Sequence, residues 1–325
     1  MRDFNQSDLT RAVLPVIQGA SEGGFPSVCR VALTSDALHT YTCTGTLIAP
    51  DLVLCAAHCV DAPRIRSASC IFDGNRVIAA RAWFWNKAFN QEKIETNATE
   101  RKRLLAVGLD YTIIQLNTPV FDIKPSPMMP LAKFKKLFKE GKITSIKAVG
   151  FGRFSKFEVN NVLAGVEKRS ADFKAVSFPK GTRALNIRPS TKRRSEAVSI
   201  AVGDSGGPYF ATYKGVNYIV ATVSTVTPTS DGDADFATAL SVDAVFDFFE
   251  PSILREYTQN IGPEGYKYES HAKAAMDSRA IESIAYDENM CVSGYCFDEK
   301  PLLYSALAAV PIAVCLYVGL KLKNM

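Results

Sequence analysis

The chain has 325 residues, of which 47% are hydrophobic, and a formal net charge of +5 at pH 7. This length accommodates one large domain or two ordinary ones, and the apolar content is sufficient for a packed core. The basic clusters at residues 101–103, 168–169 and 192–194 have no interleaved aromatic residues. Their pattern argues against nucleic-acid binding and predicts a solvated basic surface.

The cysteines indicate an oxidising compartment, because eight are many for a protein that is kept reduced. Cys29 and Cys70 lie on segments that we expect to form neighbouring strands, so a bridge between them is an open alternative. Cys291 and Cys296 bracket a short loop and are candidates for a local pair.

The N-terminal residues 1–16 are polar and irregular, and we assign them to an N-terminal segment or pro-region. The apolar run 12–17 is too short for the core of a signal peptide. Alternation of apolar and polar residues then predicts a β-rich region. Its first strands are expected at residues 27–33, 42–48 and 76–85.

A candidate general base ends the segment 46–59, which is predicted to be a strand, a turn, a second strand and a short run of small residues. The base is His58, one of only three histidines in the chain. A lone histidine is more often structural than functional. Cys43 and Cys59 bracket this hairpin, however, and a disulfide between them would fix the backbone beside His58.

A carboxylate that could orient this base, Asp110, stands at the head of the apolar strand 109–116. An aspartate beside a strand usually caps its end, so Asp110 becomes a catalytic candidate only together with a base and a nucleophile. The polar segment 86–103 before it is predicted to be an exposed loop insertion, and it contains a glycosylation sequon at Asn97.

The second half of the chain contains a candidate nucleophile. The proline-containing residues 117–139 are predicted to link two β-rich regions, and strands resume at residues 143–149. Ser205 then lies within a glycine-rich turn at residues 203–208. Its glycines allow backbone conformations that a Cβ would forbid, so the N–H groups of Gly203 and Ser205 can point to one place. Two such donors form an oxyanion hole for acyl transfer.

The C-terminal part is predicted to contain a helix, a stalk and a membrane span. Residues 242–257 have apolar residues at helical spacing, and residues 259–300 are mixed and weakly patterned. Residues 301–320 carry no charge and are long enough for one bilayer crossing. The acidic pair at 298–299 before them and two lysines after them favour a cytoplasmic C-terminus.

These motifs resemble those of the chymotrypsin-like serine proteases, in which the catalytic residues follow the same order as His58, Asp110 and Ser205. Three motifs in the family's order and spacing are a highly specific signal, and the resemblance runs from about Ile17 to about Tyr257. The matching segments are 43–48, 56–59, 150–152, 203–208 and 223–226.

The resemblance implies an all-β fold of two packed antiparallel β-barrels with a C-terminal helix. The protease domain would span residues 17–258, with barrels at about 17–118 and 141–242, and the stalk and transmembrane helix would follow. It assigns the disulfide Cys43–Cys59, and it places Cys55 where the family has a buried threonine, so Cys55 is expected to be a free buried thiol. It implies no metal or organic cofactor, and its partners would be protein or peptide substrates.

The activity implied by the resemblance is endopeptide hydrolysis through an acyl-enzyme. His58 would act as base and Asp110 would orient it, while the N–H groups of Gly203 and Ser205 would bind the oxyanion. Ser224 would support Asp110.

The family also uses the residue before the nucleophile, here Asp204, to pair with the α-amino group that forms when a zymogen is cut. That new terminus would fall near residues 16–19, and no arginine or lysine directly precedes them. The nearest is Arg11, and cutting after it would leave the new terminus several residues too long.

The resemblance places Ser199 at the base of the substrate pocket, and Thr225 and Val226 on the strand that lines it. A neutral hydroxyl and a branched side chain predict a preference for small or medium apolar residues before the scissile bond. Asp235 would fall on the opposite wall, where its carboxylate would instead receive a basic side chain.

Two functions without catalysis stay open: a catalytically silent protease-like binding protein and a membrane-tethered scaffolding protein. The cysteines and the C-terminal span predict a catalytic domain in the periplasm or outside the cell, or a secreted enzyme if the tail is removed. The short apolar run near the N-terminus instead fits a tail-anchored cytosolic protease.

Overall fold

The protein, a computed structural model, is built mainly from two antiparallel β-sheets. The structure describes residues 20–35, 40–61, 65–86, 88–89, 97–152, 167–188, 200–227, 236–248, 257–261, 291–292 and 295–296. The strands are β1 Ala20–Ser21, β2 Val28–Ser35, β3 Thr40–Ala49, β4 Leu52–Cys55, β5 Ile65–Phe72, β6 Arg76–Asn86, β7 Thr112–Leu116, β8 Ile146–Gly150, β9 Arg169–Phe173, β10 Ala175–Ser177, β11 Ala184–Arg188, β12 Pro208–Tyr213, β13 Val216–Thr227, β14 Phe236–Ser241, β15 Tyr257–Ile261, β16 Cys291–Val292 and β17 Tyr295–Cys296. The α-helices are α1 Ala57–Val60, α2 Ala98–Val107, α3 Leu131–Lys139 and α4 Asp243–Phe248, and a 3₁₀ turn covers Asp73–Asn75.

The first sheet closes into a barrel. Its strand order is β15-β6-β5-β2-β3-β4-β7, and β6 also pairs with β7. Residues 76–79 of β6 pair with β5 and residues 80–85 pair with β7, so one long strand joins both edges of the sheet. A register shift between Ala80 and Ala82 bends β6 where it takes up its second partner.

The second sheet has eight strands in the order β1-β9-β8-β12-β13-β14-β11-β10. β12 begins at Pro208, immediately after the glycine-rich turn, and pairs with β8 on one side and β13 on the other. The turn therefore leads directly into the middle of a sheet, where the neighbouring strands fix its direction.

An apolar cluster packs the two sheets together. It combines Val28 and Leu54 of the first sheet with Phe210 and Ile219 of the second. Phe25 adds a stacked ring contact to Phe210, with centroids 4.8 Å apart. The arrangement confirms the predicted β fold of two packed sheets and leaves the loops at their junction to carry a site.

The predicted linker at residues 117–139 contains a helix, α3. Leu131, Phe134 and Leu137 are buried at a spacing of three, which turns one face of this lysine-rich segment into the core. Asp243 accepts a hydrogen bond from the Leu131 N–H at 2.7 Å and stabilises the first turn. The lysines between these apolar residues made the helical periodicity hard to recognise in the sequence. The predicted exposed insertion at 86–103 likewise contains the start of α2.

The C-terminal elements also differ from the sequence prediction. The helix expected over 242–257 extends only from Asp243 to Phe248 within the described residues. Tyr257–Ile261 forms β15 and pairs with residues 82–86 of β6, so the first residues of the predicted stalk belong to the first sheet. In the short pair β16–β17, Cys291 lies opposite Cys296.

No helix in the described part of the chain is long and apolar enough to cross a membrane. The predicted span at 301–320 lies outside the described residues.

Removing the ring of Phe134 tests the packing of α3. Phe134 is fully buried, and its centroid lies 5.6 Å from those of both Phe138 and Phe178. We expect Phe134→Ala to lower the free energy of unfolding by about 3–5 kcal/mol, because it removes buried apolar surface and leaves a cavity. Urea unfolding measures the loss.

Phe121→Ala is the matched control, because the Phe121 ring is 65% exposed. We expect it to change the free energy of unfolding by less than about 0.5 kcal/mol. Equal losses in the two variants would contradict the buried position of α3.

Candidate active site

His58 lies on α1, a single helical turn that directly follows β4. A disulfide joins Cys59 of this turn to Cys43 of β3, with an S–S distance of 2.09 Å. Ala57 packs against Phe89 on the other side. The backbone at His58 is thus held covalently on one side and by apolar packing on the other, while 21% of the histidine side chain stays exposed.

Asp110 lies beside His58 because β7 pairs with β4. The register places Thr112 opposite Cys55, so the residues just before β7 meet the start of α1. The Asp110 Oδ2 atom lies 2.8 Å from the His58 Nδ1 atom, and Oδ1 accepts the His58 backbone N–H at 2.9 Å. The Ser224 hydroxyl of β13 also donates to Oδ2. This buried carboxylate therefore holds groups from both sheets.

The pKa values of His58 and Asp110 reflect two opposing effects. Burial alone lowers the pKa of His58 and raises the pKa of Asp110, because each charged form loses solvation. Their mutual attraction and the hydrogen bonds outweigh burial, so the pKa of His58 is raised and that of Asp110 is lowered. The stabilisation linked to His58 is therefore full below the usual histidine range and is lost as pH rises through the raised value.

Ser205 is brought to this pair by backbone contacts across the junction. Its carbonyl accepts a hydrogen bond from the Thr44 N–H at 2.9 Å. A Cβ on the next residue, Gly206, would lie 2.5 Å from the Ala56 N atom, two residues before His58. The described residues include no hydrogen bond between the Ser205 hydroxyl and the His58 ring. Such bonds are often long without substrate.

Backbone hydrogen bonds hold the peptide groups around Ser205. The N–H groups of Asp204, Gly206 and Gly207 donate to backbone carbonyls at distances of 2.8–3.1 Å. Gly203 has a φ of 102°, which a residue with a side chain rarely adopts. Among the described residues, the N–H groups of Gly203 and Ser205 donate no hydrogen bond, so both stay candidates for an oxyanion hole.

Asp204 is a second buried carboxyl, and its environment differs from that of Asp110. Its oxygens accept the N–H groups of Gly152 at 2.8 Å and of Ala201 at 3.2 Å. Burial raises the pKa of Asp204 to about 7, since these two bonds offset only part of the lost solvation. A Cβ at Gly150 or Gly152 would lie within 2.4 Å of the carboxyl oxygens, so both positions need glycine.

The predicted substrate-binding residues are only partly described. Thr225 lies on β13 and is half-buried, and Val226 follows it on the same strand. Ser199 and Asp235 lie outside the described residues, so the two specificity alternatives stay predictions.

The cysteines outside the disulfide are free where the structure describes their side chains. Cys29 and Cys70 lie on the neighbouring strands β2 and β5 as predicted, but they are buried thiols and the alternative bridge between them does not form. Cys55 is a free buried thiol, as predicted, and its S–H donates to the Thr44 carbonyl at 3.3 Å.

Thr44 is a residue of this site that the sequence interpretation missed. It is fully buried, and its hydroxyl donates to the Gly203 carbonyl at 2.8 Å and accepts the Phe151 N–H at 3.0 Å. The available signal was the alternation of Thr42, Thr44 and Thr46 on the strand predicted at residues 42–48. Alternation by itself does not distinguish a hydrogen-bonding face from a solvated one.

The geometry defines a β protein of two packed sheets, in which one sheet supplies a histidine–aspartate pair and the other supplies a serine on a glycine-rich turn. The sequence matches the Trypsin family over residues 16–245, which is more than half of the chain. The chain belongs to the trypsin-like serine protease family. Family membership supports a peptidase, a hydrolase whose partners are protein or peptide substrates.

Two solved structures are similar to this chain. HL collagenase matches with a TM-score of 0.50 and 17% identity, covering 73% of this chain and 98% of its own. Protease Anisep from Arthrobacter nicotinovorans matches with a TM-score of 0.45 and 14% identity, covering 68% of this chain and 92% of its own. At such identity the first likeness concerns the fold alone. A search of curated proteins finds no match.

Replacing Asp110 by asparagine tests the coupling of the pair. The carboxylate charge raises the pKa of His58 against the opposite effect of burial. We expect Asp110→Asn to bring this pKa below the ordinary histidine value, because burial is left without the compensating charge. NMR titration of the histidine ring signals measures the pKa of His58. The signal that disappears in His58→Gln identifies this residue.

Asp122→Asn is the control, since this carboxylate pairs with Arg76 at an exposed position. It should leave the His58 titration unchanged. A His58 pKa that does not move in Asp110→Asn would show that the pair is not coupled.

Proposed function

We propose that the protein is a serine endopeptidase that hydrolyses peptide bonds through an acyl-enzyme, with His58, Asp110 and Ser205 as the catalytic residues. One observation carries the proposal. A buried carboxylate holds the Nδ1 side of an accessible imidazole at the seam where a serine on a glycine-rich turn is anchored. This is the arrangement that serine nucleophiles need, because a hydroxyl is a weak nucleophile without an adjacent base.

In the first step, His58 takes the proton of the Ser205 hydroxyl as its oxygen attacks the substrate carbonyl carbon. With the ring proton on Nδ1 directed at Asp110, the Nε2 lone pair is free to act as the base. The proton then passes from His58 to the leaving amine, and an ester joins Ser205 to the acyl part. Water attacks this ester with His58 again as base, and the hydroxyl of Ser205 is restored.

Asp110 keeps the imidazole in the required tautomer and stabilises its protonated form during both steps. The raised pKa of His58 fits this role, because the positive charge that develops on the ring is already favoured by its surroundings. The N–H groups of Gly203 and Ser205 bind the oxyanion, which is often the largest single contribution to acyl transfer.

The test is loss of activity in Ser205→Ala and in His58→Ala. We expect each to lower kcat of peptide hydrolysis by about a thousandfold or more, because the catalytic residues act as a unit. Circular dichroism and urea unfolding should show that both variants keep the wild-type fold. A fluorophosphonate probe should label wild-type protein at Ser205 and leave Ser205→Ala unlabelled.

Retention of most activity by either folded variant would overturn this assignment. A wild-type protein that is folded, but is not labelled and does not cleave a diverse peptide library, would support the catalytically silent alternative.

We also propose that cleavage near the N-terminus activates the enzyme. Asp204 is fully enclosed and raised in pKa to about 7, so an ammonium group would stabilise its charged form strongly. A new α-amino group near residues 16–19 is the family's source of that charge, and it would pair with Asp204 in addition to the two N–H groups that the carboxyl already accepts.

Finally, we propose that residues 301–320 anchor the protein in a membrane, with the catalytic domain on the non-cytoplasmic side. The segment has twenty residues without charge and is followed by two lysines. The disulfide Cys43–Cys59 supports the orientation, because such bonds persist in oxidising compartments.

Truncation after Lys300 tests the anchor. The full-length chain should sediment with membranes and need detergent for release, whereas the truncated chain should be soluble and should keep its activity, because the segment follows β15 and the described catalytic residues. Partition of the full-length, unprocessed chain into the aqueous phase would refute the anchor, and mass spectrometry establishes that the tail is present.

A further inference from the structure

We propose that Thr44 is a positioning residue whose hydroxyl holds the Gly203 carbonyl and thereby restrains the backbone of Gly203, whose N–H binds the oxyanion in the proposed mechanism. This inference rests on the proposed function, because it concerns the same acyl-transfer site. Thr44 touches neither His58 nor Asp110 in the hydrogen bonds of the described residues, so its role is separate from that of the catalytic pair.

The first observation is that Thr44 joins three segments of the chain. Its hydroxyl donates to the Gly203 carbonyl at 2.8 Å and accepts the Phe151 N–H at 3.0 Å, and its own N–H donates to the Ser205 carbonyl at 2.9 Å. Thr44 belongs to the first sheet, whereas its three partners lie in or next to the second. The glycine-rich turn is therefore tied to the opposite barrel by one side chain and its backbone.

The second observation concerns the peptide that links Gly203 to Asp204. Both of its polar groups are hydrogen bonded, since the Gly203 carbonyl accepts from Thr44 and the Asp204 N–H donates to the Ala201 carbonyl at 3.1 Å. Gly203 has a φ of 102°. Glycine can leave this conformation for others at little cost in free energy, because it has no Cβ. The Gly203 N–H belongs to the preceding peptide, so its direction is set relative to this anchored peptide by the φ and ψ of Gly203. Loss of the Thr44 hydroxyl removes one anchor of the 203–204 peptide and relaxes the restraint on both angles.

The third observation is the complete burial of the hydroxyl. Thr44 has no exposed surface, so water cannot replace its hydrogen bonds. Its loss would leave the Gly203 carbonyl and the Phe151 N–H without this partner inside the protein, a cost that the turn can relieve by rotating. A Cβ added at the neighbouring Gly207 would lie 3.1 Å from the Thr44 Cγ2 atom, so the Thr44 methyl group lies beside the turn.

The test compares Thr44→Val, which replaces the hydroxyl by a methyl group, with Thr44→Ser, which keeps the hydroxyl. We expect Thr44→Val to lower kcat by about tenfold to a hundredfold, somewhat less than outright removal of an oxyanion donor. KM and the acidic limb of the pH profile should stay unchanged, because the pocket and the His58–Asp110 pair are untouched. Affinity for a peptide aldehyde, which forms an anionic tetrahedral adduct, should fall in parallel with kcat. Thr44→Ser should restore most of both.

Thr46→Val is the matched control. Thr46 lies two residues along the same strand, is buried, and its hydroxyl has no hydrogen-bond partner among the described residues. The same substitution there should leave kcat and aldehyde affinity at the wild-type level. An equal loss of kcat in both variants would show a general effect of the strand and would overturn the proposal.

A second measurement does not depend on catalysis. Hydrogen–deuterium exchange of peptides covering residues 200–207 should be faster in Thr44→Val than in wild-type protein or Thr46→Val. If wild-type protein proves inactive but this difference appears, the proposed function fails and the positioning role stands. If wild-type protein is active and Thr44→Val changes neither exchange nor kcat, the positioning role is overturned.

Discussion

The hydrogen bonds of the Asp110 carboxylate are the interaction on which the candidate site depends, because they join the two sheets at the point where the proposed catalytic groups meet. His58 approaches it from the first sheet through both its ring and its backbone, and Ser224 approaches from the second. A buried charge without such partners would cost several kcal/mol. The position of the sheets is therefore linked to the ionisation of one aspartate.

The two buried aspartates show how surroundings determine chemistry. Asp110 faces an imidazole and a hydroxyl in addition to a backbone N–H, and its pKa is lowered. Asp204 receives two backbone N–H groups in its described surroundings, and its pKa is raised to about 7. The surroundings therefore favour the charged form of Asp110, whereas burial disfavours the charged form of Asp204.

The work of positioning is divided between the sheets. The first supplies the proposed base, His58, through a disulfide-tied helical turn, and the second supplies the proposed nucleophile, Ser205, through a turn that leads into β12. The relative placement of the two turns depends on the apolar cluster between the sheets and on the hydrogen bonds of Thr44. In the proposed mechanism Thr44 acts through Gly203, although it bonds to neither His58 nor Asp110.

The sequence alone determined the local chemistry: the glycine-rich turn at Ser205, the bracketed His58, and the β-rich halves. These features can be predicted because turn residues, cysteine spacing and two-residue periodicity are local patterns in the sequence. It also predicted that Cys55 is a free buried thiol, which the structure confirms.

The tertiary structure added contacts that neither the local patterns nor the family resemblance had indicated. The lysine-rich segment at 131–139 forms a helix whose apolar face packs into the core. Residues 257–261 form a strand because they pair with β6. Thr44 became the partner of Gly203, 159 positions away, through the packing of one sheet on the other. The sequence shows which hydrogen-bonding groups a residue carries. Which distant residue becomes its partner depends on how the sheets pack, and local periodicity contains no information about that packing.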